Sequence, residues 1–198
     1  MADDAGLAGV SMRSVGRELG VEAMSLYHHV ASKDALLDGL ADWVFDHIDT
    51  PSTSGPWRAG MEARAHSARA VLAAHPWGLG LIESRRSPGP ATLRHHDAVL
   101  GCLRTAGFPV ALAAHAFSVL DAYVYGFVLT EVNLPFGPGE SAEDFVEDLG
   151  AVMAQHPHLT EMVAEQVVGR DYAYGDEFDY GLELILDGLE MRFLTPRA

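Results

Sequence analysis

The spacing of apolar residues along the chain predicts helices throughout. Between Ser11 and Leu40, Met12, Val15 and Leu19 recur at helical intervals and Gly20 interrupts them. Leu26 then marks the inner face of a second short helix over 23–30, and Leu36, Leu37 and Leu40 open a third. Ser11 and Ser32 stand where N-caps belong, and Gly20 can take the left-handed backbone that a tight helix exit requires. Val21 is expected to be a buried turn residue. Gly16, which costs about 1 kcal/mol against alanine inside a helix, makes sense where a second helix crosses closely. Two short helices joined by a glycine-containing turn describe a helix-turn-helix, although three arbitrary helices of an α-protein fit the same pattern.

The third helix is predicted to run from Lys33 to Ile48, with Leu36, Leu37, Leu40, Val44 and Ile48 inward and Asp38, Asp42 and Asp46 outward. The turn-rich stretch from Thr50 to Pro56 is the best domain boundary, separating residues 1–48 from residues 56–198. Beyond it, helical patterns cover 57–74, 79–84, 91–106, 111–134, 142–156, 159–168 and 176–194. His75-Pro76, the Ser87–Pro90 cluster, Gly107, Pro135–Gly139 and Pro157 punctuate them. No strand-like alternation or repeat stands out, so the fold class is all-α.

Composition narrows the function. With 198 residues, 48% of them hydrophobic, the chain is long enough for one sizeable core or two small ones. No uninterrupted apolar run reaches the 18 or more residues of a membrane span, no signal-peptide pattern opens the chain, and a lone Cys102 excludes an internal disulfide framework. A cytoplasmic location without a membrane partner is the default expectation. The formal charge of −15 is unevenly spread: residues 1–50 sum to −6, residues 51–110 to +4 and residues 111–198 to −13. This excludes a general nucleic-acid binder. It leaves room for a specific one, with modest and salt-sensitive affinity, since phosphate neutralisation supplies most nonspecific binding.

Gly20-Val21, Leu26-Tyr27-His28-His29-Val30 and Ser32-Lys33-Asp34-Ala35-Leu36-Leu37 resemble, in type and spacing, the DNA-binding segment of the TetR family of bacterial repressors. The closing stretch from Phe178 to Glu190 is similar to the last helix of tetracycline-repressor-type C-terminal domains, and His75-Pro76 and Gly107-Phe108 fall in register. The resemblance implies a helix-turn-helix reader followed by a helical ligand-binding and dimerisation domain. It also implies an amphipathic first helix, of which Asp3-Asp4-Ala5-Gly6 matches only the last turn. An upstream segment carrying that helix, with several Lys or Arg, is therefore expected; truncation or degeneration of the domain are the alternatives.

Carried over residue by residue, the resemblance sets Arg13 beside a base edge, where a guanidinium can pair bidentately with guanine. It turns Ala23, Met24, Ser25 and His28 towards the major groove, and sets Tyr27, His29 and Lys33 against phosphates. Tyr27 reads equally as a packing residue, and His28 and His29 as ordinary surface histidines. The family mechanism implies a homodimer, formed through the 109–134 and 176–194 helices, on operator half-sites roughly 34–36 Å apart. A small-molecule effector would then release it. Val119, Tyr123 and Phe127 at i, i+4 and i+8, with Gly181 and Gly188, suit such a helix interface, and they suit an internal core as well.

The tetracycline-contacting Asn and Phe of that family are replaced here by Arg64 and Ala68, and its metal-binding histidine falls at Ile82 or Glu83. A magnesium–tetracycline ligand is not expected, nor is any metal or cofactor. Candidate effector contacts are His66, Trp77, Glu83, His95, Phe117, Tyr123 and Phe127, each of which also reads as core or surface. An enzyme is not expected. The ten histidines form no His-Glu-x-x-His, His95 and His96 point apart on a helix, and Gly-x-Ser-x-Gly, phosphate-loop and dinucleotide motifs do not occur. The competing functional reading is a ligand-binding or protein-interaction dimer that no longer binds DNA.

Overall fold

A computed structural model describes residues 1–136 and 142–195. Among them the chain is helical and no strand forms: α1 (Ala2–Ala5), α2 (Met12–Glu18), α3 (Ala23–Leu26), α4 (Lys33–His47), α5 (Trp57–Ala74), α6 (Trp77–Ile82), α7 (Pro90–Thr105), α8 (Val110–Glu131), α9 (Ala142–Met153), α10 (Pro157–Gln166) and α11 (Glu177–Leu194). The expected helices are all present within a few residues at each end. The Pro135–Gly139 loop lies mostly outside the described residues.

The reader end is built by local chemistry. Ser11 and Ser14 form a reciprocal capping box: the Ser14 amide donates to Ser11 Oγ at 3.1 Å and the Ser11 amide to Ser14 Oγ at 2.9 Å. At the other end of α2, Gly20 adopts φ +69°, its amide reaches the Arg17 carbonyl and the Val21 amide reaches the Gly16 carbonyl, a Schellman exit. Gly16 is buried against that turn and α3. A Cβ on it would lie 2.9 Å from the Val21 carbonyl oxygen and 3.1 Å from the Ala23 nitrogen. The second helix is shorter than its pattern suggested. The amides of Tyr27, His28 and His29 bond carbonyls three residues back, so the segment tightens into turns after Leu26.

Two expectations are corrected here. Val21, expected to be buried, is exposed, as is Leu19 despite its helical spacing; both lie in the Schellman turn that ends α2. Leu36, Leu37 and Leu40 are only half-buried; the firm core contacts of α4 begin at Ala41 and continue through Val44, Phe45 and Ile48.

That second half of α4 belongs to the main core. Val44, Phe45 and Ile48 join Met61, Ala65, Ala68 and Leu72 of α5, and one cluster continues through Val99 and Leu103 of α7 and Leu120, Val124 and Val128 of α8 to Phe178, Leu182 and Leu186 of α11. α8 sits centrally, against α5, α7 and α11. It is long and apolar enough, by length and composition, to cross a membrane, which revises the sequence-based reading. Here its apolar positions include core residues, and Asp121 sits midway along it. The helices α9 and α10 pack on each other around a separate small core of Ala142, Met153, Val163 and Val167.

Gly16→Ala should lower stability by about 1–3 kcal/mol, the cost of forcing volume into a packed site, despite alanine's better helix propensity. Gly39→Ala, on α4 with open space around its Cα, should be neutral or stabilising by up to about 1 kcal/mol. Thermal or denaturant unfolding of the two variants measures the contrast.

Candidate functional site

Two regions merit description: the reader end and a cavity between α4, α6, α7 and α8. At the reader end, Arg13, Met24, Ser25, Tyr27, His28, His29 and Lys33 are exposed, and Ala23 is half-buried. Met24 is 72% exposed at the tip of α3. Lys33 begins α4, whose first turn is capped by Ser32 Oγ accepting from the Ala35 amide at 3.0 Å. The eight sequence candidates thus lie on α2, on α3 and the turns after it, and at the start of α4, with α2 and α3 packed on each other. Such an arrangement can present side chains to a groove and helix amides to phosphate.

The cavity has a volume of about 340 Å³. α4 contributes Asp38, Ala41 and Phe45 to its wall, and the segment between α6 and α7 contributes Arg85, Ser87, Pro88 and Gly89. Ile82, Glu83, Thr92, Leu93, His96, Phe117, Asp121 and Tyr125 complete it. Of the sequence candidates, Glu83 and Phe117 line this space. His95 lies beneath it, fully buried. The other four stand elsewhere. His66 pairs at the surface with Asp179 at 3.2 Å, and the Trp77 indole donates to Asp3 Oδ1 at 2.5 Å. Tyr123 and Phe127 stack with Phe178 and Tyr174 on the opposite side of α8, where Tyr123 donates to the Phe178 carbonyl at 2.8 Å. Gly181 packs under that tyrosine, since a Cβ there would fall on its hydroxyl.

Beneath the cavity is a buried polar group that residue patterns did not reveal. Arg64 of α5 is 1% exposed, its Nη2 lies 2.5 Å from Asp121 Oδ1 of α8, and its Nε donates to His95 Nε2 of α7 at 3.1 Å. Arginine can only donate, so His95 Nε2 is the unprotonated nitrogen and the ring is neutral. Burial, the Arg64 charge and neighbouring His96 together push its pKa down to about 3. Burial likewise lowers His96. Burial and the Asp121 charge raise the Tyr125 hydroxyl far above its ordinary range. Arg64 was legible only as a departure from a family position, and Asp121 as one acid in an apolar helix.

The cavity wall is tied to α4 by a row of carboxylates. Arg85 Nε meets Asp38 Oδ1 at 2.5 Å, and its Nη2 donates to the Asp34 carbonyl at 3.2 Å. Asp42 accepts from the Ala91 and Thr92 amides at 3.2 and 2.8 Å and from Thr92 Oγ1 at 3.0 Å, capping α7. Burial alone would raise its carboxyl; these bonds outweigh burial and hold it below the ordinary value. Gly89 permits the approach, because a Cβ there would fall on the Asp42 carboxylate. Arg94 meets Asp46 at 2.9 Å. The outward face expected for Asp38 and Asp42 is therefore corrected: these half-buried acids face α7 and the segment before it, while Asp46 is exposed as expected and meets Arg94 at the surface.

Removing one partner of a buried ion pair leaves a stranded charge and costs about 3–5 kcal/mol. Asp121→Leu should show that loss, and the double variant Arg64→Met/Asp121→Leu should recover most of it in denaturant unfolding. His95 adds a pH effect. As pH falls from 6.5 towards about 3, the unfolded chain takes up a proton that the folded site refuses, so stability declines with acid across that window. His95→Gln should flatten this slope in a stability-versus-pH series.

Comparison with known proteins matches both parts of the chain. Residues 1–40 match the family model "Bacterial regulatory proteins, tetR family", and residues 50–193 match "Tetracyclin repressor-like, C-terminal domain". The HTH-type transcriptional repressor DrrR1 of Streptomyces coeruleorubidus is 33% identical, over all of this chain and 76% of its own length. The tetracycline repressor protein class A from transposon 1721 of Escherichia coli is 29% identical, over 100% of this chain and 88% of its own. The crystal structure of the Streptomyces coelicolor TetR family protein ActR in complex with actinorhodin superimposes with a TM-score of 0.77 at 26% identity, covering 96% of this chain and 91% of that one. With both family models matched in order along a helix-turn-helix and an all-helical C-terminal core, the chain belongs to the TetR family of bacterial regulatory proteins.

Proposed function

We propose that this protein is a ligand-responsive transcriptional repressor that binds operator DNA as a homodimer and leaves it when a small molecule occupies the cavity. The observation that carries this reading is the double duty of α4. Its first turn adjoins the reader, and Asp38, Ala41 and Phe45 form one wall of the cavity. A molecule entering the cavity meets the same residues that hold α4 to Arg85 and to the start of α7. Occupancy and the position of α4 are thereby linked. To move the population from 1:99 to 99:1, the effector must prefer the DNA-incompetent state by about 10⁴-fold.

Dimerisation has its own support. α8 and α11 present exposed Val110, Val119, Tyr180, Leu184 and Met191, and nothing lies within 4 Å of a Cβ placed on Gly188. Apolar exposure along two long helices suits a helical interface with a second copy. A regulator acting on DNA works in the cytoplasm, which is the location we assign.

The acidic reader favours a second reading, a ligand-binding dimer without DNA affinity. Residues 1–50 hold only Arg13, Arg17 and Lys33 as cations against nine Asp and Glu. Selection of binding sequences from a random duplex pool, followed by salt titration, separates the two. The repressor reading expects an enriched two-fold-symmetric site whose affinity falls with salt. Failure of any sequence to enrich overturns it. On the selected site, Arg13→Ala should relax specificity at one base position in each half and cost about 1–3 kcal/mol, and Lys33→Ala should weaken all sequences alike. Fluorescence anisotropy against base-swapped duplexes reads both.

A further inference from the structure

Three observations at the cavity bear on the chemistry of its ligand. The first is charge. Arg85, the cation on the wall, is already committed to Asp38 and Asp34. Arg64, beneath the wall, is committed to Asp121. Glu83 is exposed on the cavity wall and forms no ion pair among the described residues. The wall cation and the buried one beneath it are thus neutralised, and one carboxylate is left over. The wall's histidine, His96, is held neutral by burial and adds no positive charge.

The second observation is where the buried acid is spent. Asp121 is 9% exposed and lines the cavity, and its Oδ1 is held from beneath by Arg64 Nη2 at 2.5 Å. That pair is neutral overall, so the uncommitted charge on the wall is the Glu83 carboxylate. The third observation is the rest of the wall. Phe45, Phe117, Tyr125 and His96 surround the space, with His96 edge-on to both Phe45 and Phe117 at about 5 Å between ring centres. Aromatic faces with surplus carboxylate attract cations and disfavour anions.

We infer that the cavity selects an aromatic molecule carrying a protonated amine, with its rings against the aromatic wall of Phe45, Phe117 and Tyr125 and its ammonium group on Glu83. A carboxylate in the same place would meet an unpaired acid and no uncommitted base on the wall. A neutral hydroxyl could donate to Glu83 but would gain little from its charge. The inference rests on reading the cavity as the effector site, and its test needs no DNA.

The test compares three molecules that share one fluorescent ring system: 9-anthracenylmethylamine, 9-anthracenemethanol and 9-anthracenecarboxylate, titrated into the full chain near neutral pH. The amine should bind tightest and the carboxylate weakest, by about tenfold or more between the extremes, the scale of one desolvated charge contact. Glu83→Gln, a change at an exposed position, should bring the amine's affinity down towards that of the alcohol and narrow the gap between amine and carboxylate. Trp77→Phe, away from the cavity, should change none of the three. Equal affinities, a preference for the carboxylate, or no binding by any of the three overturns the inference. Those results leave the operator experiment untouched. Amine-selective binding by a chain that enriches no DNA would sink the repressor reading and keep this one.

Discussion

A guanidinium that cannot lose its proton sits at the centre of this protein, and the surrounding architecture follows from that. Arg64 is buried where α5, α7 and α8 meet, and a charge persists there only if it is paired. Asp121 supplies the opposite charge and His95 supplies an acceptor, so three helices must meet at one point. The same requirement fixes the tautomer of His95 and keeps its ring neutral. It also explains why an otherwise apolar α8 carries an acid in its middle.

That polar centre lies just inside the cavity wall, and the opposite wall is α4. α4 is held by hydrogen bonds and ion pairs at Asp34, Asp38, Asp42 and Asp46, all at fourfold spacing, in addition to the apolar contacts of Ala41, Val44 and Phe45. Apolar packing is non-directional and tolerates sliding; a capped helix end and a seated guanidinium do not. α4 is therefore anchored in a defined register against α7, while its first turns carry a reader with few core contacts of its own. Rigid coupling at one end and light packing at the other suit a helix that transmits displacement.

Much of this was legible in the sequence. Helical periodicity places the elements, Ser11, Gly20 and Ser32 mark local starts and stops, and Gly16 signals a close crossing. What periodicity could not show is which side of a helix a polar residue serves. Asp38, Asp42 and Asp46 have the composition of a solvated stripe, and only the position of α7 reveals them as partners. Leu19 and Val21 fit an inward pattern, yet both lie exposed in the Schellman turn. Tyr123, Phe127, Trp77 and His66 are the aromatic and imidazole residues a ligand would favour, and the fold spends them on core stacking and surface pairing instead. Glu83 and Phe117 reach the cavity, but spacing alone gave no reason to prefer them to the others.

The joint between Asp42 and α7 has an evolutionary corollary. Two of its three bonds reach main-chain amides, at Ala91 and Thr92, so the contact itself sets no demand on the side chain at position 91, which the core around it keeps small. Drift at position 89 is barred, because any side chain there would occupy the space of the carboxylate. Relatives that keep this joint should therefore stay fixed at a residue that makes no bond at all.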